Sequence, residues 1–207
     1  MKNTNLHVIC CSNAANLFHA YRRQLRRDYR KPLINLVNKK PLKLRDASSS
    51  LSELSTPRFR TVIGEVDLEI KPEGVRKVVF MTGQAYYSAL ERRREAKRNV
   101  SYSLKQDVAL IRIEQLAPFH YNEVKRIAKQ YANASEFIWF QEEHRNSGAW
   151  NYLAPRFDII LEELKKEGQI KYSGIVCVSR RNSASTAVGK KRKHDEEQVE
   201  ILNKLFA

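Results

Sequence analysis

Apolar residues recur at helical spacing over residues 13–29, where Ala14, Leu17, Phe18, Tyr21 and Leu25 share one face and Arg22, Arg23, Arg26 and Arg27 another. Ser12 or Asn13 can cap the first turn of that helix. Arg30-Lys31-Pro32 ends it, because the residue before a proline avoids the helical region. Leu33-Ile34-Asn35-Leu36-Val37 then reads as a short buried strand. Residues 38–60 are polar, with Pro41, Pro57 and Ser48-Ser49-Ser50, and read as a linker. Beyond them two rhythms alternate. Strands are expected at Lys77–Gly83, Asp107–Ile113, Glu136–Gln141 and Ile170–Ser179. Helices are expected at Gln84–Arg98, Phe119–Tyr131, from about Gly148 to Glu167, and at Glu196–Leu205. Continuous apolar strands separated by helices of this length predict a three-layer α/β fold. Its sheet is mainly parallel and covered by helices on both faces. The helix from Ala85 is expected to pack through Tyr86, Ala89 and Leu90, with Arg92, Arg93, Arg94, Lys97 and Arg98 in water. Pro155 should kink or divide the helix around it.

Charge sharpens the picture. The 207 residues carry a formal net charge of +15. The first 60 hold 13 Lys or Arg against three acids, Asp28, Asp46 and Glu53. A second cluster stands at Lys190-Lys191-Arg192-Lys193. Nucleic acid is the partner such patches invite, yet no zinc-finger, basic-zipper or RNA-recognition aromatic motif accompanies them, and no nucleic-acid role is assigned. Three cysteines, Cys10, Cys11 and Cys177, make neither a disulfide framework nor a zinc site. No apolar run approaches the ~20 residues of a membrane helix, and no targeting peptide is visible.

Candidate chemistry gathers at the expected carboxyl ends of the strands. Gly83 reads first as turn geometry, with weak scope for an anion at the helix start behind it. Glu142 and Glu143 are adjacent, so they should project to different sides and not work as a paired acid and base. One of them is expected to accept backbone N–H groups of the next helix, or to pair with Arg112. His144 reads as a polar loop residue. Trp139 and Trp150 read as core or interface anchors. No catalytic, cofactor-binding or metal-ligating residue is assigned.

Several stretches fall in one order along the chain. They are Asn13–Leu25 with Arg22, Arg23 and Gln24, then Tyr29-Arg30-Lys31-Pro32-Leu33-Ile34, Ser48–Leu54 and Thr82-Gly83-Gln84-Ala85-Tyr86-Tyr87. Ile111-Arg112-Ile113-Glu114-Gln115-Leu116-Ala117-Pro118-Phe119 follows, then Gln141-Glu142-Glu143-His144 with Asn146, Gly148 and Trp150, and finally Ser183–Gly189. Together they resemble the C-terminal portion of the E1 component of 2-oxoglutarate dehydrogenase, a thiamine-diphosphate-dependent 2-oxo acid dehydrogenase of the transketolase-like group. Gln84 stands where that family has lysine, and residues 175–180 read as extra.

The resemblance implies the end of a pyrimidine-binding domain at 1–37, a linker at 38–74 and a C-terminal α/β domain at 75–207. It implies a share in oxidative decarboxylation of 2-oxoglutarate and succinyl transfer in the citric acid cycle. The partners it implies are an E1 homodimer and a lipoyl-bearing E2 component, in the mitochondrial matrix or otherwise the cytoplasm. In the complete family enzyme thiamine diphosphate and Mg²⁺ do the chemistry. The family's Gly-Asp-Gly motif, activating glutamate and active-site histidines do not occur in this sequence. The chain alone is therefore expected to bind no cofactor and to be inactive, and the helix over 13–29 to be weakly supported. Motif and interface positions carried over are Arg22, Arg23, Arg30, Lys31, Arg112, Glu114, Gln115, Gln141, Glu142, Glu143, Asn146, Gly148 and Trp150. The alternative is a non-catalytic module that docks on the dehydrogenase complex, or on RNA through its basic face.

Overall fold

A computed structural model describes residues 4–55, 58–98 and 107–206. In chain order the elements are β1 (His7–Ile9), α1 (Ala14–Arg26), β2 (Leu33–Asn35), α2 (Leu51–Ser55), β3 (Val62–Ile63), β4 (Lys77–Met81) and α3 (Ala85–Arg98). Then come β5 (Val108–Ile113), β6 (Gln115–Ala117), α4 (Tyr121–Gln130), β7 (Glu136–His144), α5 (Trp150–Lys166), β8 (Val176–Arg180) and α6 (Lys191–Phe206).

Five strands form the main sheet in the order β3-β5-β4-β7-β8. The pairs β4/β5, β4/β7 and β7/β8 are parallel, and β3 adds an antiparallel edge. Alternation along each central strand fills both faces. Val78, Phe80, Ala109, Ile111, Phe137 and Trp139 pack towards α4 and α5. Val79, Met81, Leu110, Ile138 and Phe140 pack towards α3 and α6. Burial on both faces is what continuous apolar strands require. The expected α/β architecture is present, as a mixed arrangement: a second sheet, β2-β1-β6, pairs β1 parallel to β2 and antiparallel to β6.

The stretch expected to be linker is built into this frame. It carries turns of 3-10 helix at 41–43 and 45–47, the short α2, and β3, which hydrogen-bonds along β5. Pro57 lies outside the described residues.

Four expectations are corrected. Pro155 does not divide α5, which runs unbroken from Trp150 to Lys166. It sits exposed early in the helix, where the carbonyl it orphans can reach water. The buried stripe Leu153, Phe157, Ile160, Leu161 and Leu164 holds the rest. Arg93 does not face water: its side chain is 8% exposed and pairs with Glu65. The last strand begins at Val176 rather than Ile170. The last helix begins at Lys191 rather than Glu196, so the basic cluster opens it, with the exposed Arg192 and Lys193 paired to Glu196 and Glu197 one turn on.

Helix α1 buries an unexpected face. Asn13 caps it, its side chain accepting from the Asn16 nitrogen at 2.9 Å. The buried residues are Ala15, Asn16, His19 and Ala20. The stripe the spacing picks out is largely bare, with Phe18 49% and Leu25 81% exposed. Neighbouring Ile34, Leu36 and Val37 are exposed as well.

Candidate functional site

The two sheets meet where β5 runs into β6, and a polar seam is built there. The Cys10 N–H donates to the Glu114 carbonyl at 2.9 Å, which continues one sheet into the other. Thr82 at the end of β4 donates its hydroxyl to the Ile113 carbonyl at 2.8 Å. Glu114, fully buried, accepts from the Ser12 nitrogen and from Asn16 Nδ2, both at 2.9 Å. Asn16 also closes a two-way bond with the Arg60 backbone, donating to its carbonyl and accepting from its nitrogen at 2.9 Å each. Arg112 lies over the Tyr86 ring at 4.4 Å and donates to Ser12 Oγ at 3.1 Å. Tyr87 donates its hydroxyl to the Ser12 carbonyl. Arg23 reaches across to Gln115 at 2.6 Å and stacks on Phe59 at 4.2 Å.

Behind the seam stands Gly83, with φ +55°. A Cβ there would lie 2.6 Å from Cys10 Sγ, so glycine is demanded both by conformation and by the approach of β1.

The second construction is the loop after β7. Gln141 uses all of its amide. Its oxygen accepts from Trp139 Nε1 at 2.9 Å and from the Trp150 backbone nitrogen at 3.2 Å. Its nitrogen donates to the His144 and Ser147 carbonyls at 2.9 and 2.8 Å. Gly148, with φ +66°, passes so close that a Cβ would stand 3.0 Å from Gln141 Oε1. Asn146 ties the loop to Ser183, donating at 2.8 Å and accepting at 3.1 Å.

Glu142 departs from expectation. It pairs neither with Arg112 nor with the next helix. It accepts from Gln84 at 3.3 Å, Ser88 at 2.5 Å and Gln198 at 2.8 Å, which joins β7 to α3 and α6. The adjacent carboxylates do diverge: Glu143 is exposed. His144 is no loop residue but the buried end of β7, with Nδ1 2.8 Å from the Arg181 carbonyl. Trp139 is fully buried in the core, and Trp150 packs against it with the Arg145 guanidinium 5.3 Å above its ring.

The structure thus brings Arg23, Arg112, Glu114 and Gln115 together at the seam, and Gln141, Asn146, Gly148 and Trp150 at the loop. Arg30 is exposed and bonds its own turn, at the Arg27 and Tyr29 carbonyls. Arg22 is half-buried on α1, and Lys31 donates to the Thr4 carbonyl. Ser12, expected only as a possible helix cap, and Asn16 and Tyr87, quoted only within longer stretches, were not singled out as site residues. The one available signal was Asn16 itself, a poor helix former inside a helix.

Two grooves of about 350 and 370 Å³ flank the seam. The first is walled by Cys10, Leu17, Phe18 and Asn38, the second by Trp139, Glu142, Glu143 and Tyr152. Neither presents a nucleophile with a base. Burial pushes the Cys10 thiol up to about 11 and the Cys11 thiol higher still. Among the described residues no three His, Cys, Asp or Glu side chains converge to hold a metal. Magnesium diphosphate needs cations for its phosphates and oxygen ligands for its metal; no lysine or arginine lines either groove, and of the two carboxylates in the second, Glu142 is spent on Gln84, Ser88 and Gln198. The residues do not fit that group.

Comparison with known proteins gives one answer. The family model described as 2-oxoglutarate dehydrogenase C-terminal matches residues 48–206. The 2-oxoglutarate dehydrogenase E1 component of Haemophilus influenzae is 39% identical over 96% of this chain and 20% of its own length. The probable 2-oxoadipate dehydrogenase complex component E1 homolog of Dictyostelium discoideum is 35% identical over 99% of the chain and 21% of its own length. The mitochondrial 2-oxoglutarate dehydrogenase of Caenorhabditis elegans is 36% identical over the whole chain and 19% of its own length. The chain spans about a fifth of the length of these relatives.

Proposed function

The chain belongs to the 2-oxoglutarate dehydrogenase C-terminal family, and from that premise we propose that it serves as the C-terminal section of an E1 component that decarboxylates 2-oxoglutarate and passes the succinyl group to E2 lipoyl groups. In this reading residues 1–37 are the end of a pyrimidine-binding domain, 38–74 a connecting stretch and 75–207 a transketolase-like C-terminal domain. The chain itself positions and supports and does not catalyse. Its location is the mitochondrial matrix, or the cytoplasm of a bacterium. No described helix is long and apolar enough to cross a membrane.

One observation carries the supporting role. The Gln141 loop spends its amide in internal bonds, and so does most of the seam, where Arg112 Nε and Glu114 Oε1 stay buried without a partner and out of reach of a substrate. Glu114, Asn16, Arg112 and Gln141 hold backbone segments in place, and the groups that do line the grooves, the Cys10 thiol with its raised value and the carboxylates Glu142 and Glu143, form no pairing of nucleophile and base. The bare stripe of α1 supports the same reading. An exposed run of Phe18, Tyr21 and Leu25 beside Ile34 and Val37 suits a surface that further E1 sequence covers. The protein's part in a thiamine enzyme is to bind and orient the cofactor, and this section supplies the frame for that.

Two measurements on the purified chain test the reading. Isothermal titration with thiamine diphosphate and Mg²⁺ should give no micromolar isotherm. Incubation with 2-oxoglutarate and both cofactors should release no carbon dioxide above the protein-free rate. A positive result in either assigns catalysis to the chain alone and overturns the proposal.

A further inference from the structure

The end of α1 and the start of β1 and β6 enclose a cluster that neither groove includes. Tyr29 is its centre. The Arg27 guanidinium stands 5.3 Å and the Lys31 ammonium 5.4 Å from its ring centroid, and the His7 ring stacks at 6.4 Å. Arg23 approaches from the same helix and holds Gln115. Gln115 in turn meets His120, nitrogen to nitrogen at 2.8 Å. Five nitrogen-bearing side chains therefore converge: three permanent cations and two imidazoles.

Nothing among the described residues neutralises them. No carboxylate makes an ion pair with Arg23, Arg27 or Lys31, and none is among the neighbours that act on Arg23, which are Arg27, Tyr29 and Cys11, or on His7, which are Arg27, Arg23, Lys31 and His120. Glu123 is the acid that acts on His120, and it is already paired with Arg126 at 3.1 Å. Donor capacity is left over. Arg23 Nε, Arg27 Nη1 and both ring nitrogens of His7 are buried without a partner, and His7 is 1% exposed. A neutral His7 offers one donor and one acceptor, so three of these atoms are orphaned donors, and since buried donors are normally satisfied they call for an acceptor.

We propose that this cluster is a binding site for a small phosphate-class oxyanion, held between Arg27, Arg23 and Lys31 with His7 beneath it and His120 at its rim. Guanidinium groups recognise tetrahedral oxyanions through paired N–H donors, and a compact, ring-centred arrangement suits one anionic group rather than an extended polyanion. The site does not depend on the catalytic reading. It also accounts for the state of the histidines. Burial first, then Arg27, Arg23, Lys31 and His120, lower His7 to about 4, and burial with Arg23 lowers His120. A dianion among these groups would reverse the repulsion.

The full chain tests this directly, with sulfate as the probe because it is a dianion across the whole pH range. The two imidazoles are followed by NMR in sulfate and in chloride of equal ionic strength. The expected result is a saturable shift, with the His7 and His120 midpoints raised by about one pH unit or more. Arg27→Gln should weaken sulfate binding about tenfold, whereas Arg192→Gln on α6 should leave it unchanged. A shift that never saturates, one that chloride reproduces, or equal losses in the two variants would overturn the proposal. The wild-type titration decides even where Arg27→Gln fails to fold.

Discussion

Arg93 meets Glu65 in a two-point pair, Nη1 to Oε2 at 2.7 Å and Nη2 to Oε1 at 3.1 Å, in a place where both side chains are less than a tenth exposed. Glu65 Oε2 also accepts from the Leu110 nitrogen at 2.8 Å. The pair therefore fixes α3, the approach to β4 and the strand β5 at one point. Removing a single partner strands a buried charge, which costs about 3–5 kcal/mol. Arg93→Met should lower stability by that order in urea denaturation. Adding Glu65→Gln should recover a large part, because the stranded charge is then gone. A loss below ~1 kcal/mol for Arg93→Met would show that the pair contributes nothing.

A closer contact governs Gly83. Alanine there meets two separate penalties, the positive φ of +55° and the Cys10 sulfur 2.6 Å from the new methyl. Left-handed backbone costs an alanine about 1 kcal/mol and forced overpacking about 1–3. Gly83→Ala is expected to destabilise by about 3 kcal/mol. Gly83→Ala with Cys10→Ala should return about half, since only the clash is relieved. Thermal unfolding of the single and double variants checks the partition, and an unimproved double variant would refute it.

These two sites show what a linear reading could and could not reach. Strands β4, β5 and β7 of the five-stranded sheet were legible because burial on both faces leaves continuous apolar runs such as Val108-Ala109-Leu110-Ile111, whereas β3 lay in the stretch expected to be linker and β8 begins later than expected. Gly83, Gln141 and Gly148 were flagged by motif, and the seam residues Arg112, Glu114 and Gln115 likewise. Arg93 was not legible. It stands in the run Arg92-Arg93-Arg94, which resembles a solvated face, and its partner comes from the stretch expected to be linker. Periodicity marks a stripe on a helix and says nothing of what covers it. On α1 it picked out Phe18 and Leu25, whereas burial follows Asn16, whose value lies in bonds to Arg60 and Glu114. Glu142 was misplaced for a related reason: its partners, Gln84 just before α3, Ser88 on α3 and Gln198 on α6, are polar residues 54 or more positions away.

His7 gives the fold a pH dependence with a definite sign. Burial and the surrounding cations lower its folded pKa from 6.5 to about 4. The native chain then holds this proton less tightly than the unfolded chain does. Stability from the neutral ring is complete above 6.5 and is lost as pH falls from there towards 4. The carboxylates with lowered values, Asp67, Glu163 and Glu200, act further down, since their loss needs pH below their ordinary 3.8 to 4.5. Half-way through the histidine window the loss is about 2 kcal/mol. His7→Leu should remove that slope, and in sulfate-free buffer it should exceed the wild type in stability below about pH 5.5. Parallel curves for the two proteins would place the pH sensitivity elsewhere.

Gln141 offers the sharpest test of the loop after β7. Its amide satisfies two N–H donors and two carbonyls that lie on opposite sides of it, which only a group with both an acceptor and a donor end can do. Gln141→Met keeps the volume and removes every bond. It takes these bonds from Trp139 Nε1, the Trp150 N–H and the Ser147 carbonyl, and leaves the His144 carbonyl only the Ser147 N–H, at about 3 kcal/mol for the set. Gln141→Glu keeps the bonds from Trp139 and Trp150 but turns a carboxylate oxygen towards two carbonyls, so it should be destabilised at neutral pH. Hydrogen exchange distinguishes a local from a global effect. In both variants amides 144–150 should exchange faster than those of β4 and β5, because the knot closes only this loop onto α5. Equal acceleration throughout the sheet, or a stability change within 0.5 kcal/mol of zero for Gln141→Met (roughly the spread of a plain surface substitution), would mean that Gln141 is not what holds Trp150 and Gly148 in place.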